Sequence, residues 1–401
     1  MKKRKTLIIG LSLTVIAAGI FGTTAYLNSE KRAQTLVFAE QAMLAQLWDT
    51  SKKDQIEAGS HRTVDRMGDN VTTSEGESYT LLRAVWSDDR ATFDNSLEWT
   101  KNNLQRPSDH LFSWRYGKQA DGSYGLLKDI GGKNTASDAD GDIALALVMA
   151  SQRWHEQKYL SEATTIINSI WEQEVVLVAG KPVLVADNVE QTNKTQVLVN
   201  PSYFAPYSYK VFAKIDKAHD WTGLRDNSYT ILAGSQSSAL DKTSSNKLIP
   251  NWIVMNRQTG AISAASGANL DSNYGYDAMR TPFRLALDYA WFKDDRDKAI
   301  LSSMHYLSDS WRNTGRLANV YSHDSRTVTL TEAPAIYGGN IGYFQVVEPS
   351  LAKEIYDKKL ASLFDPNGEN WKASLNYYDD NWAWFGIALY NHALPNLTNV
   401  K

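Results

Sequence analysis

Residues 136–154 read ASDADGDIALALVMASQRW, with aspartates at 138, 140 and 142 and then an Ala-rich apolar run that closes on Trp154. Carboxylates therefore stand at the mouth of a segment whose all-round apolar character marks an enclosed helix. Three readings are open: a metal loop, a helix cap, or the wall of a ligand site. A calcium loop of the EF-hand type needs Gly at its sixth position and Glu at its twelfth, where this chain has Ile143 and Met149. The calcium reading fails. An Asp just before a helix accepts backbone N–H groups, which accounts for one aspartate and does not require three. A ligand-facing role for at least one of them stays open beside the cap.

The chain on either side of this stretch repeats its design. From about residue 31, apolar residues recur at three- and four-residue steps, the period of a helix. One set of segments is amphipathic and charged, at roughly 31–51, 91–105, 156–175, 218–235, 293–313 and 349–364. The other is apolar or small almost all round, at roughly 75–87, 140–154, 203–214, 277–292, 338–347 and 381–392. The two sets alternate, which predicts outer helices with one wet face and inner helices with none. Each inner segment follows a lead rich in Gly, Asn, Asp or Ser: TTSEGES, TASDADGD, NPSYFAP, DSNYGYDAMR, TEAPAIYGGN and NYYDDNW. Such residues cap helices and shape the loops before them, so all the leads fall on one rim, where helix N-termini favour negative charge. The expected architecture is an all-α (α/α)6 barrel of six inner and six outer helices spanning 31–401. Val- and Thr-containing stretches at 178–198 and 240–270 suggest short strands within its loops.

Bulk properties narrow the function. The chain has 401 residues, 43% of them hydrophobic, and a net charge of −3, which argues against the basic footprint of a nucleic-acid binder. Its 13 Trp and 20 Tyr suit sugar rings, which need an apolar face and a polar edge at once. There is no Cys, which excludes disulfides and thiolate chemistry. The seven His show no metal-ligand spacing, and no P-loop, G-x-G-x-x-G or G-x-S-x-G motif stands out, so no cofactor or metal is expected. Lys2, Lys3, Arg4 and Lys5 precede an uncharged run from Thr6 to Ser29. That is an export signal, read as segment 1–30 and either retained as an anchor or cleaved, with the body outside the cell.

Two further acids lie on the rim. Glu75 follows Ser74 and precedes Gly76, which leaves space beside the carboxyl; the bland alternative is a capping box from Thr72. Tyr79, Leu81, Leu82, Val85 and Trp86 behind it would desolvate the carboxyl and favour its proton, as a general acid needs. Asp277 and Arg280 stand one helical turn apart. Exposed, they are an ordinary ion pair; on the rim, the arginine keeps the aspartate ionised and oriented, as a base requires. Two carboxyls across a sugar-sized cleft can hydrolyse a glycosidic bond.

These residues resemble glycoside hydrolase family 8. Residues 136–154 fit its signature A-[ST]-D-[AG]-D through I/M-A to A-x-x-x-W, Ser74–Gly76 resembles its proton-donor motif, and YDAMRTPFR at 276–284 its YDAxRxPWR segment, with Phe283 where Trp is commoner. LFSWRYG at 111–117 and NPSYFAP at 200–206 also look like family segments. The resemblance implies an (α/α)6 barrel that cleaves β-1,4-linked polysaccharide, usually with inversion. On that basis Glu75 is the expected acid and Asp277 the expected base, with Asp138 holding the distorted sugar. Arg280 and Tyr203 are expected to order the base and its water, and Trp114, Tyr377 and Tyr378 to form stacking platforms. An anchored or exported monomer acting on bacterial exopolysaccharide, with membrane contact through the N-terminal segment alone, is the expectation. Alternatives are a secreted digestive endoglucanase, chitosanase or xylanase, and, in another class, a noncatalytic glycan-binding barrel.

Overall fold

The computed structural model describes residues 40–267 and 270–399. The expected export segment at 1–30 lies outside the described residues, as do residues 31–39 of the first outer helix. Among the described residues, no helix is long and apolar enough to cross a membrane.

Helices dominate and come in pairs. In chain order they are α1 (40–55), α2 (Ser74–Trp86), α3 (Arg90–Asn103), α4 (Ser137–Trp154), α5 (Gln157–Glu174), α6 (Pro206–Ile215) and α7 (Trp221–Ser237). There follow α8 (Arg280–Phe292), α9 (Asp295–Ser303), α10 (Tyr306–Thr314), α11 (Pro334–Val347), α12 (Pro349–Ile355) and α13 (Tyr377–Tyr390). Helix α4 is enclosed: every side chain from Ile143 to Ala150 is fully buried. Its partner α5 buries a single stripe, Tyr159, Ala163, Ile166, Ile167 and Ile170, the spacing of one helical face.

The enclosed helices pack in a ring, α2 on α4, then α6, α8, α11, α13 and back to α2. Tyr79 closes that ring, meeting Trp382 and Phe385 edge-on at centroid distances of 5.7 and 5.5 Å. The arrangement is consistent with the expected (α/α)6 barrel. Its tightest joint is made of glycines. A Cβ on Gly338 would land on the Trp382 carbonyl, and one on Gly386 would land on the backbone of Gly338. Backbone touches backbone there, which only a residue without a side chain permits.

Two outer helices depart from expectation. The segment at 293–313 is two helices, because Met304 N–H donates to the Leu301 carbonyl and Leu307 N–H to the Met304 carbonyl. These tightened three-residue steps turn both Met304 and Leu307 fully inward. The last outer segment leaves α12 as a wide π turn over Tyr356–Leu360 and a 3-10 turn over Ala361–Leu363. The expected loop strands form, and more besides. β1 (Thr72–Thr73), β2 (Arg115–Lys118) and β3 (Tyr124–Leu126) make one antiparallel sheet. β4 (Val175–Val178) and β5 (Lys181–Leu184) form a hairpin, and β6 (Gln196–Val199), β7 (Ile253–Asn256) and β8 (Ile262–Ala264) a second three-stranded sheet. β1 runs directly into α2, and β6 ends one residue before the lead that carries Tyr203.

Buried carboxyls give the fold a pH dependence. Glu77 is fully buried; its Oε1 accepts the Thr63 N–H at 2.7 Å and its Oε2 lies 3.1 Å from Thr100 Oγ1. Thr100 has one hydroxyl proton for two acceptors, Glu77 Oε2 and the nearer Ser96 carbonyl at 2.7 Å; given to the carbonyl, it leaves Thr100 Oγ1 to accept from a protonated Glu77. A protonated Glu77 therefore completes the network by donating to Thr100, and burial pushes its pKa from 4.5 up to about 8. Stability gained by burying this neutral acid is complete below its unfolded value and is lost as pH rises through about 8. Glu77→Gln places an amide donor on Thr100 and an amide oxygen on Thr63. We expect that variant to unfold at the same temperature as wild type near pH 5 and at a higher one near pH 9, measured by thermal denaturation across pH.

Candidate active site

Two first-turn carboxylates, Glu75 and Asp138, and a third, Asp277, from the turn before α8 converge on one buried arginine. Arg280 opens α8 and its side chain is 1% exposed. Its Nη1 donates to Glu75 Oε2 at 2.8 Å and to Asp138 Oδ2 at 2.9 Å, and its Nη2 donates to Asp277 Oδ1 at 2.6 Å. Nε bonds Ser202 Oγ at 3.1 Å, and the guanidinium lies over the Tyr203 ring at 5.0 Å. The i,i+3 pair anticipated between Asp277 and Arg280 is real and faces inward. One planar cation with donors in a fixed fork suits this task better than a lysine point charge.

The three acids differ in access. Side-chain exposure is 21% for Glu75, 34% for Asp277 and 3% for Asp138. Glu75 and Asp277 thus reach the open rim, while Asp138 stands behind the arginine. Burial, opposed by Arg280 and reinforced by Glu75, pushes the Asp138 carboxyl up to about 7. Asp138 holds the arginine from inside the cluster.

Glu75 does not form the capping box. Thr73, one residue later than anticipated, caps α2 by accepting the Gly76 N–H at 3.0 Å, which leaves the Glu75 carboxylate free for the rim. Its second oxygen, Oε1, accepts the Tyr377 hydroxyl at 2.5 Å. Gly76 does not open the cleft either: a Cβ there would meet Thr63 and Tyr377 at ordinary contact distance, 3.5 Å. The Ser74 N–H donates to the Trp114 carbonyl at 3.0 Å, tying the acid's helix to the lead of β2.

The opening aspartates now separate. Asp140 and Asp142 are buried and take no part in the Arg280 cluster. Asp142 forms a two-pronged pair with Arg284 at 2.9 and 2.7 Å, joined by the Tyr207 hydroxyl. Asp140 accepts the Phe112 N–H at 2.9 Å and pairs with the carboxyl of Glu174. Burial pushes both of those carboxyls up, Asp140 to about 8, which favours a proton on this buried acid pair. Only Asp138 joins the site.

The aromatic candidates take mixed places. Trp114 donates its Nε1–H to the Gly131 carbonyl at 3.0 Å, and Arg115 covers its ring at 5.1 Å. Tyr377 faces Glu75 through its hydroxyl, and Tyr378 bonds the Tyr276 carbonyl at 2.6 Å. Burial, with Asp138 next, pushes the Tyr203 phenol far up, so it stays a neutral donor beside the acids. Sequence reasoning missed four residues. Tyr276, 40% exposed, stands next to the base and edge-on to Tyr378 at 6.1 Å; Ser202 bonds Arg280. Asn251 Oδ1 accepts the N–H groups of Gly275 and Ala278 at 3.1 and 3.0 Å, and Trp252 Nε1 donates to Asp277 Oδ2 at 3.0 Å. Tyr276 and Ser202 sit inside motifs already noted, whereas Asn251 and Trp252 carry no local signal.

A pair of rim carboxyls held by one cation has the chemistry of a glycoside hydrolase. Residues 28–389 match the model described as Glycosyl hydrolases family 8, and the chain belongs to that family. It is 33% identical over 295 residues to Endoglucanase A of Acetivibrio thermocellus, covering 71% of this chain and 57% of that protein. It is 30% identical over 321 residues to a probable endoglucanase of Novacetimonas hansenii, covering 79% and 85%. Among solved structures, the endo-1,4-D-glucanase of Vibrio fischeri ES114 superposes with a TM-score of 0.73 at 23% identity, over 86% of this chain and 94% of that one. That likeness concerns the fold. The chain spans little more than half of Endoglucanase A.

Proposed function

We propose that the protein is an endo-acting hydrolase of β-1,4-linked glucan, built on an (α/α)6 barrel and working with inversion. The observation that carries this reading is Arg280 bonding Glu75 and Asp277 at once, with both acids open to the rim. Glu75 gives its proton to the glycosidic oxygen as the bond to the anomeric carbon breaks. Asp277 takes a proton from the water whose oxygen bonds that carbon from the opposite face. Negative charge moves from Asp277 to Glu75 during this step, so the total facing Arg280 is unchanged and the buried cation stays compensated throughout. Tyr203, neutral and packed on the guanidinium, supplies a further hydroxyl beside the water.

The names of the relatives favour glucan, and the basic start followed by an uncharged run favours work outside the cell on an exopolysaccharide. Defined β-glucans, xylan, chitosan and bacterial exopolysaccharides, assayed side by side with product sizes measured, test the substrate. We expect internal cleavage of a β-1,4-glucan, and NMR of fresh product should show the α anomer first. Initial β product would refute inversion, and activity confined to xylan or chitosan would refute the glucan assignment.

A further inference from the structure

The base is held from two sides, and only one of the two holders belongs to a motif. Asp277 Oδ1 accepts from Arg280 and Oδ2 accepts from the Trp252 indole at 3.0 Å. Both donors pack on the same ring: the guanidinium lies over Tyr203 at 5.0 Å, and Trp252 meets Tyr203 edge-on at 5.8 Å. Tyr203 thereby sets the spacing of the two N–H groups that grip the carboxylate. Trp252 is itself fixed to the loop that carries the base. Its N–H donates to the Asp271 carbonyl at 3.0 Å, and its carbonyl accepts the Ser272 hydroxyl at 2.7 Å. Its neighbour Asn251 bonds the backbone on both sides of Asp277, at Gly275 and Ala278.

We infer that Trp252 is a positioning residue for Asp277, whose indole N–H fixes the rotation of the carboxylate and aims its free lone pair at the attacking water. A carboxylate held at one oxygen turns about its Cβ–Cγ bond; held at both, it does not. A general base must present a lone pair within about 3 Å of the proton it takes, so losing one grip removes productive orientations without removing the base. The inference rests on the two-carboxylate reading above.

The test exploits a coincidence of ring geometry. Histidine Nε2 occupies the same place relative to Cβ as tryptophan Nε1, so Trp252→His keeps an N–H at that place, while Trp252→Phe keeps an aromatic ring and removes the donor. On cellohexaose at pH 7.5, where His is mostly neutral, Trp252→Phe should lower kcat roughly tenfold or more, the cost of a lost bond to a charged group. KM should stay within about twofold, and Trp252→His should recover most of kcat. Equal losses in the Phe and His variants, or an unchanged kcat in the Phe variant, would overturn the inference. Glu75→Gln and Asp277→Asn in the same assay separate the two levels. If they keep full activity, the two-carboxylate reading falls; if they abolish it while Trp252→Phe is unaffected, only the role of Trp252 falls.

Discussion

Glu75→Gln lowers hydrolysis of an unactivated β-1,4-glucan by about 10³-fold or more, the expected cost of losing a general acid. Folding is preserved. The side chain is partly exposed, and the amide can still accept from Arg280 and meet the Tyr377 hydroxyl, which can reverse to accept. Unfolding free energy should therefore stay within about 1 kcal/mol of wild type. The decisive comparison uses leaving groups. A dinitrophenyl glycoside departs without a proton, so the Glu75→Gln defect should shrink sharply on it. Asp277→Asn should stay inactive on both substrates, because water still needs its base. A defect of equal size on both substrates would remove Glu75 from the acid role.

The second large effect is at Arg280, and it couples activity to pH. Arg280→Met leaves Asp138 buried without its cation, and breaking a buried pair from one side typically costs about 3–5 kcal/mol. Asp138 can escape that cost by taking a proton. Its pKa, already pushed up to about 7 by burial with Arg280 opposing, rises further once the opposition is gone. The group's folded value lies above its unfolded one, so its stability is complete in acid and lost as pH rises through the folded value. The variant should therefore approach wild-type stability near pH 5 and fall well below it at pH 8 in chemical denaturation. Activity should be lost at both, because Glu75 and Asp277 lose their common donor. Adding Asp138→Asn should restore stability at pH 8 and leave activity absent. A stability deficit independent of pH would show that Asp138 is not the group responsible.

The alternation of enclosed and one-faced helices was legible because burial writes itself into local composition: α4 is apolar all round and α5 has one stripe. The carboxylates of the rim were legible as candidates, but their separation into roles was not. Asp138, Asp140 and Asp142 differ only in partners far along the chain, namely Arg280, Glu174 and Arg284. The expected start of the second inner helix also shifted, from 140 to Ser137, which takes the aspartates into the opening turns of α4. The bond from the Tyr377 hydroxyl to Glu75 was not legible, because an aromatic at a helix mouth has no local mark of where its hydroxyl points. Asn251 and Trp252 were invisible for a related reason. They lie in an irregular stretch without period, and their meaning comes from the loop at 271–278 folded against them. The single outer helix anticipated at 293–313 failed because its break uses inward-facing residues that keep the helical period intact.

The glycine joint between α11 and α13 bears on how such a protein can change over generations. Most of the barrel wall is side chain against side chain, where a lost methyl in one helix can be offset by a gained one in its neighbour. At Gly338 and Gly386 no such exchange exists, because each position is occupied by the other helix's backbone. Drift in this part of the wall is frozen even though neither glycine belongs to the carboxylate cluster. Gly339 and Gly342 of α11 press in the same way on the backbone of Met279 and Pro282 at the start of α8, so the α8–α11–α13 arc is fixed as a unit and new specificities are open to the loops and to the α2, α4 and α6 side of the ring.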